Sequence, residues 1–203
     1  MEVVLFDEKG IRSFIKEYGK GPNSKDYELV VAVVLKRFCE LQFGEEHCIA
    51  FKIKDKYVDR RKGDLAIEEL FTILRKQIDE DDPMDVGIVR GNVKNAEKKG
   101  MSFQLKRFGK DPKKDDTEAL SNFINVEIPR KYQKTETSLL IILETKKQLD
   151  FDFIKKSLIV KNYPFNKIMF IWMSSEKVYI GEIWPQCGMN EYDSNDLIRD
   201  IVI

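Results

Sequence analysis

The chain is short of the side chains that most metal and hydrolase chemistry draws on. It has one histidine, His47, and three cysteines, Cys39, Cys48 and Cys187, with no CxxC spacing. That pattern builds no zinc site, and an odd cysteine count argues against a disulfide framework. Free thiols in a reducing cytoplasm are the simpler reading, and the protein is expected there. A lone histidine disfavours a histidine-centred triad, although sequence leaves Ser-His-Asp geometry open. GxxxxGK[ST], GxGxxG and GxSxG are all absent, which removes support for P-loop hydrolysis, dinucleotide binding and α/β-hydrolase chemistry. Neither sign of charge is in excess, with 35 basic and 35 acidic residues. This balance counts against strong non-specific nucleic-acid affinity, because such binders carry a basic excess. The longest apolar run, Leu29 to Leu35, is seven residues, far below the roughly 20 a membrane helix needs. The first residues show no basic leader ahead of a long apolar stretch, so no secretory signal is expected.

What is present reads as strands alternating with helices over 203 residues. Val3 to Phe6 has strand character, and Asp7 can cap a helix over 10–18 with Ile11, Phe14, Ile15 and Tyr18 on one stripe. After a turn at 19–23, Ser24 or Asn23 starts a helix to about Gln42, apolar round most of its circumference and so expected to be buried. Strand character returns at 48–53, and Asp64 begins a helix over 65–78 that the acidic turn before Pro83 ends. Two short strands follow, at 83–89 and 103–108, joined by a polar loop at 91–100. Thr117 is read as the cap of a helix to about Val126. Leu139 to Leu143 is continuously apolar, as expected of a central strand buried on both faces. A helix capped near Asp150 spans 151–160, and strands at 168–173 and 178–184 form a hairpin. From Trp184 to Ile203 no periodicity assigns an element. The expected architecture is α/β, a mixed β-sheet flanked by helices with a C-terminal β-hairpin. One domain covers 1–203, with a strand–helix appendage at 1–19, a core at 24–145 and a helix-and-hairpin extension at 150–203.

The two strands at 83–89 and 103–108 carry the sharpest functional signal. Side chains two apart on a strand share a face, so Gln104 and Lys106 project together while Phe103 and Leu105 take the other side. An antiparallel partner beginning at Asp85 would set a carboxylate beside them. A carboxylate, an amide oxygen and an ammonium on one face suit a hard cation and a phosphate. Asp85, eighteen intervening residues, then Gln104-x-Lys106 resembles the PD-(D/E)XK nuclease superfamily, the restriction-endonuclease-like fold, and especially its Mrr-like branch with Gln in the middle slot. The resemblance takes in the helix before the hairpin and the helix and strand after it, roughly residues 24–145, and the 64–79 helix would be an insertion. It implies a Mg²⁺- or Mn²⁺-dependent DNA endonuclease. Asp85 would be the main metal ligand, Gln104 a ligand or water-orienting group, Lys106 the catalytic lysine and Glu28 an auxiliary acid.

Blander readings stand beside each of these. The trio also fits a solvated sheet face with a turn aspartate, Glu28 an ordinary first-turn acid, and Asp81 and Asp82 turn or cap acids rather than ligands. Lysines and arginines bunch at 52–62 and 94–114, either as solvated loops or as a phosphate-tracking rim. Trp172, Trp184, Tyr179 and Phe170 can stack on bases, but alternating positions on a hairpin more often fill a core or an oligomer interface. The alternative function, from a different class, is a catalytically inactive interaction module on the same scaffold, binding a protein or nucleic-acid partner or forming a homodimer through the aromatic hairpin. A toxin or defence component with an occluding partner is a third reading.

Overall fold

In a computed structural model of the chain, the described residues are 2–6, 24–53, 84–92, 94–96, 100–186 and 188–198. The helices expected at 10–18 and 65–78 lie outside them. Two units divide the chain: one holds the described residues up to Ser102 and those from Asn195 onward, the other runs from Phe103 to Ser194. Among the described residues no helix is long and apolar enough to cross a membrane.

In the first unit, strand β1 (Glu2–Phe6) runs antiparallel to β2 (His47–Ile53), which runs antiparallel to β3 (Val86–Arg90). Helix α1 (Ser24–Phe43) precedes β2. Its consecutive residues Val30 to Leu35 are all buried, as a run apolar on every side requires. Gly44 ends the helix at φ +66, its N–H donating to Glu40 O at 2.9 Å, a left-handed stop that glycine adopts without a Cβ penalty. Strand β3 lies beside the start of β4 (Gly100–Phe108): a Cβ on Gly100 would sit 2.8 Å from Ile88 O. The polar loop between them folds on its own side chains. Asn92 Oδ1 accepts from the N–H groups of Lys94 and Asn95, and Asn95 Oδ1 accepts Asn92 N–H.

The second unit is built on three parallel strands. Strand β5 (Ser138–Leu143) pairs in parallel with β4 on one side and β6 (Ile168–Met173) on the other. Parallel neighbours need a crossover. The first is helix α2 (Thr117–Asn122) continued by a π-helical turn, Phe123–Glu127, and the second is helix α3 (Phe151–Ser157). Strand β7 (Lys177–Trp184) returns antiparallel to β6, and β8 (Gly188–Asp193) antiparallel to β7. All six residues of β5 are buried, as expected for a continuous apolar run. Leu139, Ile141 and Leu143 share one packed cluster with Phe108, Phe170, Leu120, Ile124 and Ile154. Leu140, Ile142 and Ile171, of opposite parity, are buried too.

The π-helical turn is followed closely by Pro129. Ile128 N–H donates to Phe123 O at 3.0 Å, one residue farther than in an α-helix. The next bond in that series would need an N–H from residue 129, which proline lacks. Tyr163 OH supplies it, donating to Ile124 O at 3.0 Å.

Several boundaries differ from expectation, each for a local reason. Asp116, not Thr117, caps α2, its Oδ1 accepting Ala119 N–H at 2.8 Å. Thr117 Oγ1 instead accepts Asp150 N–H at 2.9 Å. Helix α3 stops at Ser157 rather than Val160 because Asn125 takes over its end, donating to Ser157 O and accepting Ile159 N–H. Strand β3 starts at Val86, and β4 starts at Gly100. The unassigned tail holds β8 and a single turn, α4 (Ser194–Leu197). Strand β8 is almost wholly exposed, so it lacks the apolar alternation that reveals a strand in sequence.

Two outcomes are expected. Gly109 has φ +94, and a Cβ there would meet Thr145 N at 2.5 Å. Gly109→Ala should destabilise the second unit by about 2 kcal/mol or more in urea titration, whereas Gly44→Ala, with open space around it, should cost less. Burial pushes the Tyr163 phenol above its ordinary pKa, so the folded state holds that proton after the unfolded chain has lost it. Stability from this residue is therefore complete below about pH 10 and falls as pH rises beyond. Tyr163→Phe should lose about 1–2 kcal/mol at neutral pH by orphaning Ile124 O, and should flatten the alkaline limb of the stability curve.

Candidate functional site

The polar residues singled out by sequence fall into both units. Asp85 sits in the first, half-buried on a bend just ahead of β3. Glu28 lies in α1, and its side chain is outside the described part of the chain. Gln104 and Lys106 lie in the second unit on β4, and the ladder places them opposite Leu139 and Ile141. Residues paired across a ladder share a face. Gln104 and Lys106 therefore stand on the face that carries Phe108, Leu139 and Ile141, at the margin of the packed cluster. The bland reading of a solvated sheet face is corrected for Gln104, while Lys106 keeps part of its surface open to solvent. Gln104 is 5% exposed, with its amide nitrogen 3.5 Å from Leu105 O. Lys106 is half-buried, and its ammonium lies 5.3 Å from the centre of the Tyr132 ring, within cation–π range. Tyr132 is held in turn by Phe165, ring to ring at 5.1 Å. The lysine head is thus positioned by an aromatic face rather than left free.

Around the start of β2, the first unit holds a second polar group. Glu40 Oε1 accepts from Lys36 Nζ at 2.7 Å and from His47 N–H at 3.0 Å. His47 Nδ1 lies 2.8 Å from Glu45 O; a carbonyl only accepts, so this nitrogen carries the proton. Glu45 also pairs with Arg90, which stands opposite His47 across the β2–β3 ladder. These contacts tie the end of α1 to the first rungs of β2 and β3. Among the described residues no group of three or more His, Cys, Asp or Glu side chains is placed to hold a metal ion.

At the C-terminal ends of β4 and β5, the second unit carries a cluster that sequence reading missed. Arg107 pairs with Glu144, with Nε to Oε1 at 3.0 Å. Buried Asp115 pairs with Lys147, and its other oxygen accepts Thr145 Oγ1 at 3.3 Å. Lys147 also donates to Pro112 O at 3.3 Å. The hydrogen bond that the Lys147 ammonium donates to Asp115 is the main reason it holds its proton more tightly than usual. The network fastens the loop after β4 to the loop after β5. Nothing in the charged run 109–116 distinguishes Asp115 from Asp111 or Asp116; only the close approach of Gly109 to Thr145, just past the β4–β5 ladder, selects it.

No protein-family model, no curated protein and no solved structure matches this chain. The site geometry does support one chemical prediction. Cys39 and Cys48 are buried and form no disulfide. Burial, with a smaller push from Glu40, raises the Cys39 thiol pKa to about 12, so it carries no thiolate at neutral pH. Iodoacetamide at pH 8 should leave Cys39 unmodified in the native protein and alkylate it in denaturant, read by peptide mass. Equal labelling in both states would contradict the burial.

Proposed function

We propose that the chain is a Mg²⁺- or Mn²⁺-dependent DNA endonuclease of the PD-(D/E)XK kind, built on a restriction-endonuclease-like fold. One observation carries the reading: Gln104 and Lys106 alternate on one face of β4, a strand followed through a helix by the parallel strand β5. The order α1, β2, β3, β4, α2, β5 supports it, as does Asp85 at the entry to β3. Oxygen ligands suit a hard cation. Mg²⁺ commonly rests on one or two carboxylates and completes its shell with water and substrate phosphate, so a full protein cage is not required. In this reading Asp85 and Gln104 hold the metal and Glu28 adds an acid. When bound, the ion would supply charge neutralisation at the phosphate and a more acidic water. Gln104 brings a neutral oxygen, so the site carries one formal negative charge fewer than a two-acid site. Lys106, fixed over Tyr132, is the cation that contacts the scissile phosphate or the attacking water.

A specific observation favours a second reading. The near-complete burial of Gln104 encloses the amide that a metal would have to reach, which suits a non-catalytic interaction module on the same scaffold. Plasmid nicking separates the two. With Mg²⁺ or Mn²⁺ the wild type should convert supercoiled DNA to open circles, and Asp85→Ala and Lys106→Ala should each lower the rate at least 100-fold with unchanged circular dichroism. Cutting by both variants at the wild-type rate would overturn the assignment. A wild type that neither nicks DNA nor binds Mn²⁺ in calorimetry would leave the interaction module.

A further inference from the structure

The C-terminal rim of the parallel strands in the second unit combines an aromatic platform with exposed lysines. Trp172, near the end of β6, is 40% exposed although its position in a hairpin would ordinarily place it in a core. Its ring stacks on Tyr179, the residue opposite it on β7, with centroids 5.0 Å apart and planes 22° from parallel. On its other side the ladder sets Leu143, and the loop that follows β5 leaves from there. Thr145 in that loop is in contact with Gly109, which opens the loop after β4. Both loops therefore emerge at the same edge of the sheet as Trp172.

Four lysines project from these loops: Lys110, Lys113 and Lys114 after β4, and Lys146 after β5. All are exposed, and none has an ion-pair partner among the described residues. The carboxylates beside them are mostly engaged within the fold. Asp115 pairs with Lys147, and Asp111 accepts Lys113 N–H. Asp116 and Asp150 cap helices, while Glu144 pairs with Arg107. Across the platform Glu191 pairs with Lys177. Glu118, Asp152 and Glu176 are exposed acids without such a role, and Asp111, Asp116, Asp150 and Glu191 are exposed as well. Four exposed lysines on two adjacent loops, with Asp115 buried and Glu144 half-buried beneath them and next to a stacked and solvent-facing indole, suit a polyanion that carries flat aromatic groups.

We infer that this rim binds single-stranded nucleic acid, with Trp172 stacking on a base and Lys110, Lys113, Lys114 and Lys146 following the phosphates. A duplex keeps its bases stacked inside and offers the indole nothing, so the preferred strand is unpaired or locally opened. The inference rests on the nuclease reading for its purpose, since it names the class of DNA that reading would act on, but its test does not require cleavage.

The probe is a fluorescein-labelled oligothymidylate of about 20 nucleotides, longer than the site size of typical single-strand binders, in EDTA so that no metal-dependent cutting occurs. Fluorescence anisotropy should show binding at low salt, several-fold tighter than to a duplex of the same length, with quenching of tryptophan emission. Trp172→Ala should weaken binding about ten-fold, and Trp172→Phe should restore most of it. Replacing Lys110, Lys113 and Lys114 by Gln should weaken binding and reduce the salt slope by about 0.7 per lysine. Unchanged affinity in Trp172→Ala and in the triple lysine variant would overturn the inference. So would duplex bound as tightly as the single strand, or a protein dimer that Trp172→Ala dissociates and that ignores the oligonucleotide. A wild type that binds the oligonucleotide through Trp172 but does not nick DNA would count against the catalytic assignment alone, and a wild type that nicks without Trp172-dependent binding against the rim alone.

Discussion

The constraint on which the second unit depends is the burial of β5 between two parallel neighbours. A strand with six buried residues can keep its backbone satisfied only if both edges are paired and both faces covered. Pairing in parallel on both sides forces two crossovers, and these supply the helical cover. Leu120 and Ile124 from the first crossover and Ile154 from the second meet Leu139, Ile141 and Leu143 in one cluster. The polar features sit where that packing ends. Gln104 and Lys106 lie at its margin, while the Arg107–Glu144 and Asp115–Lys147 pairs lie past the strand ends.

The crossovers are held by side-chain hydrogen bonds at their weak points. Pro129 removes a donor from the end of the first, and the Tyr163 hydroxyl replaces it from another part of the chain. Asn125 reaches from the π-helical turn to the end of the second crossover and satisfies both a carbonyl and an N–H there. Ser121 and Ser157 add a contact at 2.8 Å between the same two segments. Apart from the exposed Ile159 N–H, these groups are polar and partly or wholly buried. Losing one partner would strand the other without water, which is why such contacts decide where a helix stops.

Much of this was readable from residue order. The apolar runs at 30–35 and 139–143 pointed to burial on every side; the first also permitted a strand reading, and the length of its segment favoured a helix. The alternation at 168–173 and 178–184 marked the hairpin, and Asp150 marked a helix start. The exposed strand β8 escaped notice because its residues bury almost nothing and so leave no period. The choice of Asp116 over Thr117 as a cap escaped for a different reason. Both are good capping residues, and their competition was decided by Asp150 N–H, 33 positions away, claiming the threonine hydroxyl.

For the candidate site, sequence alone determined the pairing of Gln104 with Lys106, since alternation along a strand is a local property of the backbone. It also determined that one histidine and scattered cysteines leave oxygen as the available ligand chemistry. Only the tertiary structure decided that the face they share is the packed one, that Lys106 rests on Tyr132, and that Trp172 stays open to solvent while Phe170 does not. Those outcomes depend on which strands become neighbours and which helix covers which row. Such contacts join residues tens of positions apart, and no local pattern of residue types encodes them.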